Sequence, residues 1–153
     1  MENNETETVA LITNKLIAFI DEMNKWELKN KEIRAEVWSK ENPTDEDVKK
    51  SREVIRNGLE AIYSKYCTER ILKLKSGRMV SLTCSTPPEY AIDTQPFEKI
   101  ERINKNKYHI YTNQIDGFKH NFRYTIVFKK GEWRFDKKEW FVKSENKWES
   151  KSL

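Results

Sequence analysis

The clearest pattern in the chain is an alternation of apolar and polar residues between positions 119 and 142. Four apolar side chains occupy alternate positions before a break at Lys130 and Gly131, and the alternation resumes with Trp133 and Phe135. The four residues are Phe122, Tyr124, Ile126 and Phe128. Alternate residues share one face of an extended chain, and glycine adopts the positive φ angle of a tight turn without strain. The segment therefore predicts a β-hairpin.

Strand-like segments also precede the hairpin. Residues 97–103 and 107–113 have the composition of strands, and the polar residues 104–106 between them are typical of a turn. A loop at Asp116 and Gly117 leads into the hairpin. The second half of the chain therefore predicts an antiparallel β-meander.

Four shorter segments are less regular. Residues 71–75 and 79–84 are predicted to be short extended segments, and the proline pair within residues 85–89 predicts a rigid loop. Residues 144–153 are polar except for Trp148, so we expect them to fray or to end as a short edge segment. Their deletion from residue 146 onward is expected to be tolerated.

The first part of the chain has the period of a helix. From Val9 to Val37, apolar residues recur at alternating steps of three and four, as on one face of an amphipathic helix. Only Asn30 breaks the series, which predicts one long helix or two abutting helices that begin near Asn4. Residues 39–43 should end it, because the residue before a proline is pushed out of helical geometry.

A second helix is predicted to start at Thr44, because acidic residues at 45–47 fill the first turn, where the helix dipole favours negative charge. Its apolar stripe comprises Val48, Ile55, Leu59, Ile62 and Tyr66. Helices followed by a meander indicate an α+β fold, with N-terminal amphipathic helices packed on one face of a curved antiparallel sheet. The other face is uncharged at Thr125 and Val127, and curvature of the sheet would explain this.

Composition narrows the possible classes of protein. With 37% hydrophobic and 35% charged residues, the 153-residue chain fits one globular domain, with an ordered core at about residues 5–143. The acidic N-terminus has no apolar run of signal-peptide length, so we expect the protein in the cytoplasm. Cys67 and Cys84 are predicted to be buried, reduced thiols. The two His and two Cys residues have no recurrent spacing, so we expect the protein to bind no metal ion and no cofactor.

Charge is distributed unevenly along the chain. Residues 1–60 hold ten basic and fourteen acidic side chains, whereas residues 97–143 hold twelve basic and six acidic ones. Such asymmetry can steer a charged partner to one side of a protein, although a solvated surface also accounts for it. The alternation of aromatic and basic residues in the meander is typical of any half-buried strand, so we do not expect nucleic acid to be a partner.

Three segments carry a resemblance to a known family: MNKWE at residues 23–27, TPPEY at residues 86–90, and FRYTIVFKKGEWRFD in the hairpin. Together with the order of helices and meander, they resemble the nuclear transport factor 2-like superfamily, whose fold is a cone with helices over a bent sheet. More narrowly, they are similar to the bacterial immunity proteins of that fold. The resemblance implies a non-catalytic protein that neutralises a polymorphic toxin encoded beside it.

The same superfamily also contains small-molecule binders and lyase or isomerase-type enzymes, which use the cavity between sheet and helices. The meander offers polar side chains for such a cavity: Arg102, His109, Tyr111, Arg123, Arg134 and Asp136. No motif assigns any of them to a catalytic position, and a general base needs a partner and a cleft. An enzyme therefore remains the alternative hypothesis, and we expect no catalytic residues.

Partner binding is predicted mainly on the meander, because protein interfaces are enriched in Trp and Arg and depleted in Glu. The candidates are Arg102, His109, Tyr111, Arg123, Arg134, Lys138, Trp140 and Trp148. A toxin with a basic groove, such as a nuclease, would favour the acidic helices instead, through Glu22, Glu32, Glu36, Asp45 and Glu46. A homodimer that forms through the sheet is a further possibility.

Overall fold

Two long helices and two single-turn helices precede a five-stranded antiparallel sheet in the described part of the chain. The computed structural model describes residues 2–84, 88–91, 96–113 and 120–153. The helices are α1 (Glu2–Trp38), α2 (Asp45–Tyr66), α3 (Glu69–Leu72) and α4 (Arg78–Ser81). The strands are β1 (Phe97–Asn104), β2 (Lys107–Asn113), β3 (Asn121–Lys129), β4 (Glu132–Val142) and β5 (Lys147–Lys151), and they lie side by side in chain order. The predicted α+β class is confirmed.

The N-terminal apolar pattern forms one helix, not two. Asn30 stays within α1 because its side-chain amide donates a hydrogen bond to the main-chain oxygen of Leu82 at 2.8 Å. Its Oδ1 accepts from Arg34 Nε at 2.6 Å, so the buried amide is satisfied without a break. The helix begins slightly before the predicted Asn4 and ends at Trp38, ahead of the proline segment as predicted.

The predicted cap of α2 is confirmed. The hydroxyl of Thr44 accepts from the main-chain N–H of Asp47 at 3.1 Å, and the Asp47 carboxylate accepts from the N–H of Thr44 at 3.0 Å. This reciprocal pair satisfies two N–H groups that the helix itself leaves unbonded. The apolar stripe of α2 is buried at Ile55, Leu59, Ile62, Tyr63 and Tyr66.

The prediction of extended segments at residues 71–75 and 79–84 is wrong. Each region holds a helical turn: the N–H of Lys73 bonds to Glu69, and the N–H of Leu82 bonds to Arg78. Short apolar runs do not distinguish a strand from a buried helical turn, and tertiary contacts decide between them. Leu82 is fully buried in a left-handed conformation, with φ of 55°, and ends α4.

The β3–β4 hairpin is confirmed. Lys130 and Gly131 both have positive φ angles, 53° and 80°, as in the type I′ turn that matches the twist of paired strands. The turn between β1 and β2 also lies where it was predicted. The predicted loop at residues 116–117 and most of the predicted proline loop at 85–89 lie outside the described residues.

A β-bulge at Asp136 changes which side chains of β4 face the helices. Thr125 pairs with Lys137, whereas the next residue, Ile126, pairs with Phe135, so Asp136 is the extra residue. Before the bulge, Trp133 and Phe135 are buried; after it, the inward positions are Lys138 and Trp140. The bulge therefore places Glu139 and Phe141 on the opposite face of the sheet.

The core lies between α1, α2 and the inner face of the sheet, as the amphipathic patterns predict. Phe19 of α1 is fully buried, and its ring centroid lies 5.1 Å from that of Phe135, 5.6 Å from Tyr66 and 5.7 Å from Tyr90. One helix, its neighbour and the sheet thus share an aromatic cluster. Cys67 is buried, as predicted, but Cys84 is only half-buried, and both are free thiols.

The C-terminal segment is part of the core. Lys147–Lys151 is the edge strand β5, which is one of the two predicted outcomes for this segment. Leu153 is 4% exposed, and its main-chain oxygen accepts from the hydroxyl of Tyr63 and, at 2.8 Å, from Arg78 Nε. These contacts lead us to the opposite prediction from the sequence, that a deletion from residue 146 is not tolerated.

Candidate partner-binding surface

Eight side chains from all five strands meet on the face of the sheet that points away from the helices. The strand register sets them side by side: Glu101 pairs with His109, Tyr111 with Arg123, and Phe141 with Trp148. We call this group the outer-face cluster, which comprises Lys99, Glu101, His109, Tyr111, Arg123, Glu139, Phe141 and Trp148. The sequence indicates that this outer face is partly apolar, because Thr125 and Val127 are uncharged. The outer-face cluster accounts for that, since its side chains cover the face and Thr125 is only 6% exposed.

Arg123 is the most constrained member of this cluster. Its Nε and Nη2 donate to the two carboxylate oxygens of Glu139, each at 3.0 Å, and its guanidinium carbon lies 4.6 Å from the ring centroid of Trp148. Burial disfavours the charge on Arg123, but the hydrogen bonds to Glu139 outweigh it and raise the pKa of the guanidinium. A bidentate ion pair and a stacked ring therefore hold one arginine in one orientation.

Aromatic rings surround this arginine. The ring of Trp148 lies 5.3 Å from Phe141 and 5.8 Å from Tyr111, measured between centroids. Lys99 Nζ lies 4.5 Å from the Tyr111 centroid, and the Tyr111 hydroxyl donates to Glu101 at 3.2 Å. The surface therefore presents aromatic rings with charged groups over their faces, and interface hot spots are enriched in such aromatic and arginine side chains.

His109 lies at the edge of the outer-face cluster. Partial burial and the nearby Arg123 lower the pKa of its imidazole, so the ring is neutral at neutral pH. Its Nδ1 is 3.6 Å from Glu101 Oε1, which is too long for a hydrogen bond. This geometry suits a surface histidine and provides no activated base.

Three other predicted residues lie elsewhere. Arg134 Nη1 donates to the main-chain oxygens of Ser64 and Cys67 at 2.8 and 3.0 Å, so it fastens β4 to the end of α2. Arg102 is on β1 and lies 3.8 Å from a carboxylate of α1. Trp140 occupies an inward position, and its ring lies 4.7 Å from that of His120.

Lys138 is a candidate that the structure places in the interior. Its side chain has no exposed area, and its Nζ lies 3.2 Å from Glu89 Oε1. The same Nζ is 4.1 Å from the ring centroid of Tyr90 and 4.3 Å from that of Phe122. Burial lowers the pKa of this ammonium to about 8, although Glu89 acts in the opposite direction. Because of the bulge at Asp136, this lysine points into the protein and cannot meet a partner.

Glu89 is the centre of a buried ionic group. One oxygen accepts from Arg78 Nη2, and the other lies 3.2 Å from Lys138 Nζ and 3.3 Å from Lys151 Nζ. Burial acts against the negative charge of Glu89, but Lys138, Arg78 and Lys151 outweigh it and lower the pKa of the carboxyl to about 2. We call these four residues the Glu89 cluster. Three of its members, Arg78, Glu89 and Lys138, are buried.

Replacement of Glu89 by glutamine should produce a pH-dependent loss of stability. The folded-state pKa lies below the ordinary value of 4.5, so the contribution of the carboxylate is present above that value and is lost as pH falls toward 2. The difference in unfolding free energy between wild type and Glu89→Gln should therefore shrink in acid. Urea denaturation at about pH 7 and about pH 3 measures it. The exposed Glu60→Gln is the control, and a gap that stays constant with pH would contradict the assignment.

Sequence reasoning missed Glu89, Arg78 and Glu139, and it noted Phe141 only as one of three aromatic residues near the C-terminus that could anchor a partner. The one available signal was the adjacent pair Trp140 and Phe141, because two neighbouring aromatics cannot share one face of a regular strand. Within the described residues, no group of His, Cys, Asp and Glu is arranged to hold a metal ion, and no helix is long and apolar enough to cross a membrane.

Comparisons with known proteins agree with this architecture. The NTF2 fold immunity protein family matches residues 12–152 of the chain. The chain is also 37% identical over 130 residues to "Immunity protein RhsIA" of Dickeya dadantii (strain 3937). The aligned region covers 85% of this chain and 87% of that protein. No solved structure gives a significant match. The match extends from α1 to the end of β5, so the chain belongs to the NTF2 fold immunity protein family.

Proposed function

We propose that this protein neutralises a cognate toxin, encoded beside it, by binding without catalysis through the outer-face cluster. Membership of the immunity family supports the toxin as the partner. The observation that carries the choice of surface is the fixed Arg123, which is held by Glu139 and stacked on Trp148. A side chain ordered before binding loses little conformational entropy when a partner arrives, so more of its contact energy becomes affinity.

The charge of this surface indicates the chemistry of the partner. Lys99, Arg123 and the neighbouring Lys137 are basic, and they outnumber the exposed carboxylate of this surface, Glu101. The second carboxylate, Glu139, is enclosed by Arg123 and by Lys137, whose Nζ lies 3.4 Å from it. Glu139 is 6% exposed, so its negative charge is largely shielded from solvent. The toxin surface that contacts this face is therefore acidic and presents apolar groups to Trp148 and Phe141.

Charge reversal at Arg123 should abolish much of the neutralisation. Arg123→Glu places a negative charge beside Glu139 and removes the stacked guanidinium, and loss of such a hot spot costs at least about 2 kcal/mol, or roughly 30-fold in affinity. Pull-down with the toxin encoded next to the gene measures binding, and co-expression measures rescue from toxicity. Association of the wild type should also slow at high salt.

The double variant Glu32→Lys and Glu36→Lys on α1 is the matched control, because both residues are exposed and lie on the acidic helical side. It should neutralise as well as wild type. Circular dichroism of each variant excludes unfolding as the cause. Loss of neutralisation in the helix variant, with Arg123→Glu unaffected, would move the binding surface to the helices and indicate a toxin with a basic groove.

The cytoplasm of a bacterial cell is the proposed site of action, because a toxin made in the same cell threatens that compartment first. Cell fractionation followed by detection of the protein tests this placement.

A further inference from the structure

Two buried cations and one partly exposed cation meet around a single buried carboxylate, as they would around a bound anionic ligand. Arg78 and Lys138 are 7% and 1% exposed, and both contact the Glu89 carboxylate, which Lys151 also approaches. We propose that Arg78, Lys138 and Lys151 form a carboxylate-binding site that the chain fills with its own Glu89. In this proposal, the Glu89 carboxylate takes the position that a free carboxylate ligand would occupy between the three cations.

Residues 88–91 are held in the manner of a bound molecule. The carboxylate of Glu27 on α1 accepts from the main-chain N–H groups of Glu89 at 3.1 Å and Tyr90 at 2.9 Å. Asn24 donates its side-chain amide to the main-chain oxygen of Tyr90, whose ring is completely buried. The segment therefore contributes a carboxylate and an aromatic ring to the space between α1 and the sheet, and polar groups on α1 bind its main chain.

The cations are arranged for a carboxylate. The guanidinium of Arg78 contacts one oxygen of Glu89, and two ammonium groups lie 3.2 and 3.3 Å from the other oxygen. The remaining donors of Arg78 are fixed as well, with Nη1 bonded to the main-chain oxygen of Thr83 at 2.8 Å. Because these neighbours hold the guanidinium in place, removal of the Glu89 carboxylate leaves a preformed site with a positive charge and no anion.

We expect a small anion to reach this site from an adjacent cleft. A cleft of about 620 Å³ between the α3–α4 region and strands β4 and β5 is lined by all three cations of the site. Formate and acetate carry the same carboxylate as a glutamate side chain and are small enough for the volume that Glu89→Ala vacates. They are the probes that distinguish a built carboxylate site from general screening of charge.

The test follows the thermal unfolding of Glu89→Ala in sodium formate and in sodium chloride at equal ionic strength. A ligand that binds only the folded state raises the midpoint, by roughly 3–5 °C at ten times its dissociation constant. We expect a saturable rise in formate over chloride for Glu89→Ala, and equal midpoints in the two salts for wild type. If Glu89→Ala is unfolded in chloride, recovery of the native circular dichroism spectrum in formate would show the same formate-specific stabilisation.

A second variant keeps the proposal testable if Glu89→Ala alone does not fold. Lys151→Met in the Glu89→Ala background reduces the uncompensated cations from three to two, so the protein should fold more readily and should need more formate for the same shift. The isosteric Glu89→Gln keeps the site filled and should respond equally to both salts. Equal responses to formate and chloride in both Glu89→Ala proteins would overturn the proposal, as would a formate-specific response of the wild type.

Discussion

Deletion of residues 146–153 is expected to leave no soluble, folded protein. The deletion removes β5, which pairs with β4 from Lys138 to Val142, and it removes Leu153 from the core. Without Leu153, the Tyr63 hydroxyl and Arg78 Nε lose the main-chain oxygen to which they donate. Each buried donor left without an acceptor costs about 1–3 kcal/mol of stability. These losses add to the exposure of β4 as a new edge strand and approach the 5–15 kcal/mol that is typical of a whole domain.

Soluble yield and far-UV circular dichroism after purification measure this outcome. Lys147→Ala is the control, because the ion pairs of Lys147 with other described residues are exposed and its substitution keeps the main chain of β5. That variant should melt close to the wild type. A truncated protein that melts within a few degrees of the full chain would show that β5 and Leu153 are dispensable for the core.

Trp133→Ala is expected to destabilise the protein by about 3–5 kcal/mol, the usual cost of truncating a large buried aromatic side chain. Trp133 is 8% exposed, and its ring centroid lies 5.2 Å from Phe128 and 5.6 Å from Tyr108. The substitution leaves a cavity beside Tyr108 and Phe128 on the inner face of the sheet, and the hydrogen-bonded strands cannot move together to fill it. The midpoint of thermal unfolding should fall by about 10 °C or more.

Trp38→Ala provides a matched comparison, because Trp38 is 69% exposed at the end of α1. Removing it should change the unfolding free energy by no more than about 0.5 kcal/mol. Chemical denaturation of both variants and of the wild type gives the two differences directly. Similar small effects of the two substitutions would mean that the inner face of β4 is assigned incorrectly.

Elements with a local signal could be predicted from the sequence. The β3–β4 hairpin follows from strict alternation around Lys130 and Gly131, and α2 follows from Thr44 and the acidic residues after it, because turns and caps involve neighbours in the chain. The single-turn helices α3 and α4 could not be predicted. Their conformation depends on contacts that are distant in sequence, such as the main-chain N–H of Arg78 bonded to Ser152 at 3.1 Å.

The part of the candidate surface that follows from local sequence patterns could also be predicted. His109, Tyr111, Arg123 and Trp148 meet on the outer face, and that face follows from the period of two along strands β2 and β3. Lys138 was assigned to the surface because the extra residue at Asp136 reverses the alternation in β4, and nothing in the local sequence marks a bulge there. The partner of Arg123, Glu139, was missed through the same shift.

The contacts of Leu153 with Tyr63 and Arg78 also affect when the protein becomes native during its synthesis. Ribosomes add roughly 5–20 residues per second, and the N-terminal part of the chain emerges first. Both long helices are therefore synthesised before β5, and the interior stays incomplete until residues 147–153 have emerged. Toxin binding through the outer-face cluster, which includes Trp148 of β5, is therefore expected only after β5 has been synthesised and has paired with β4.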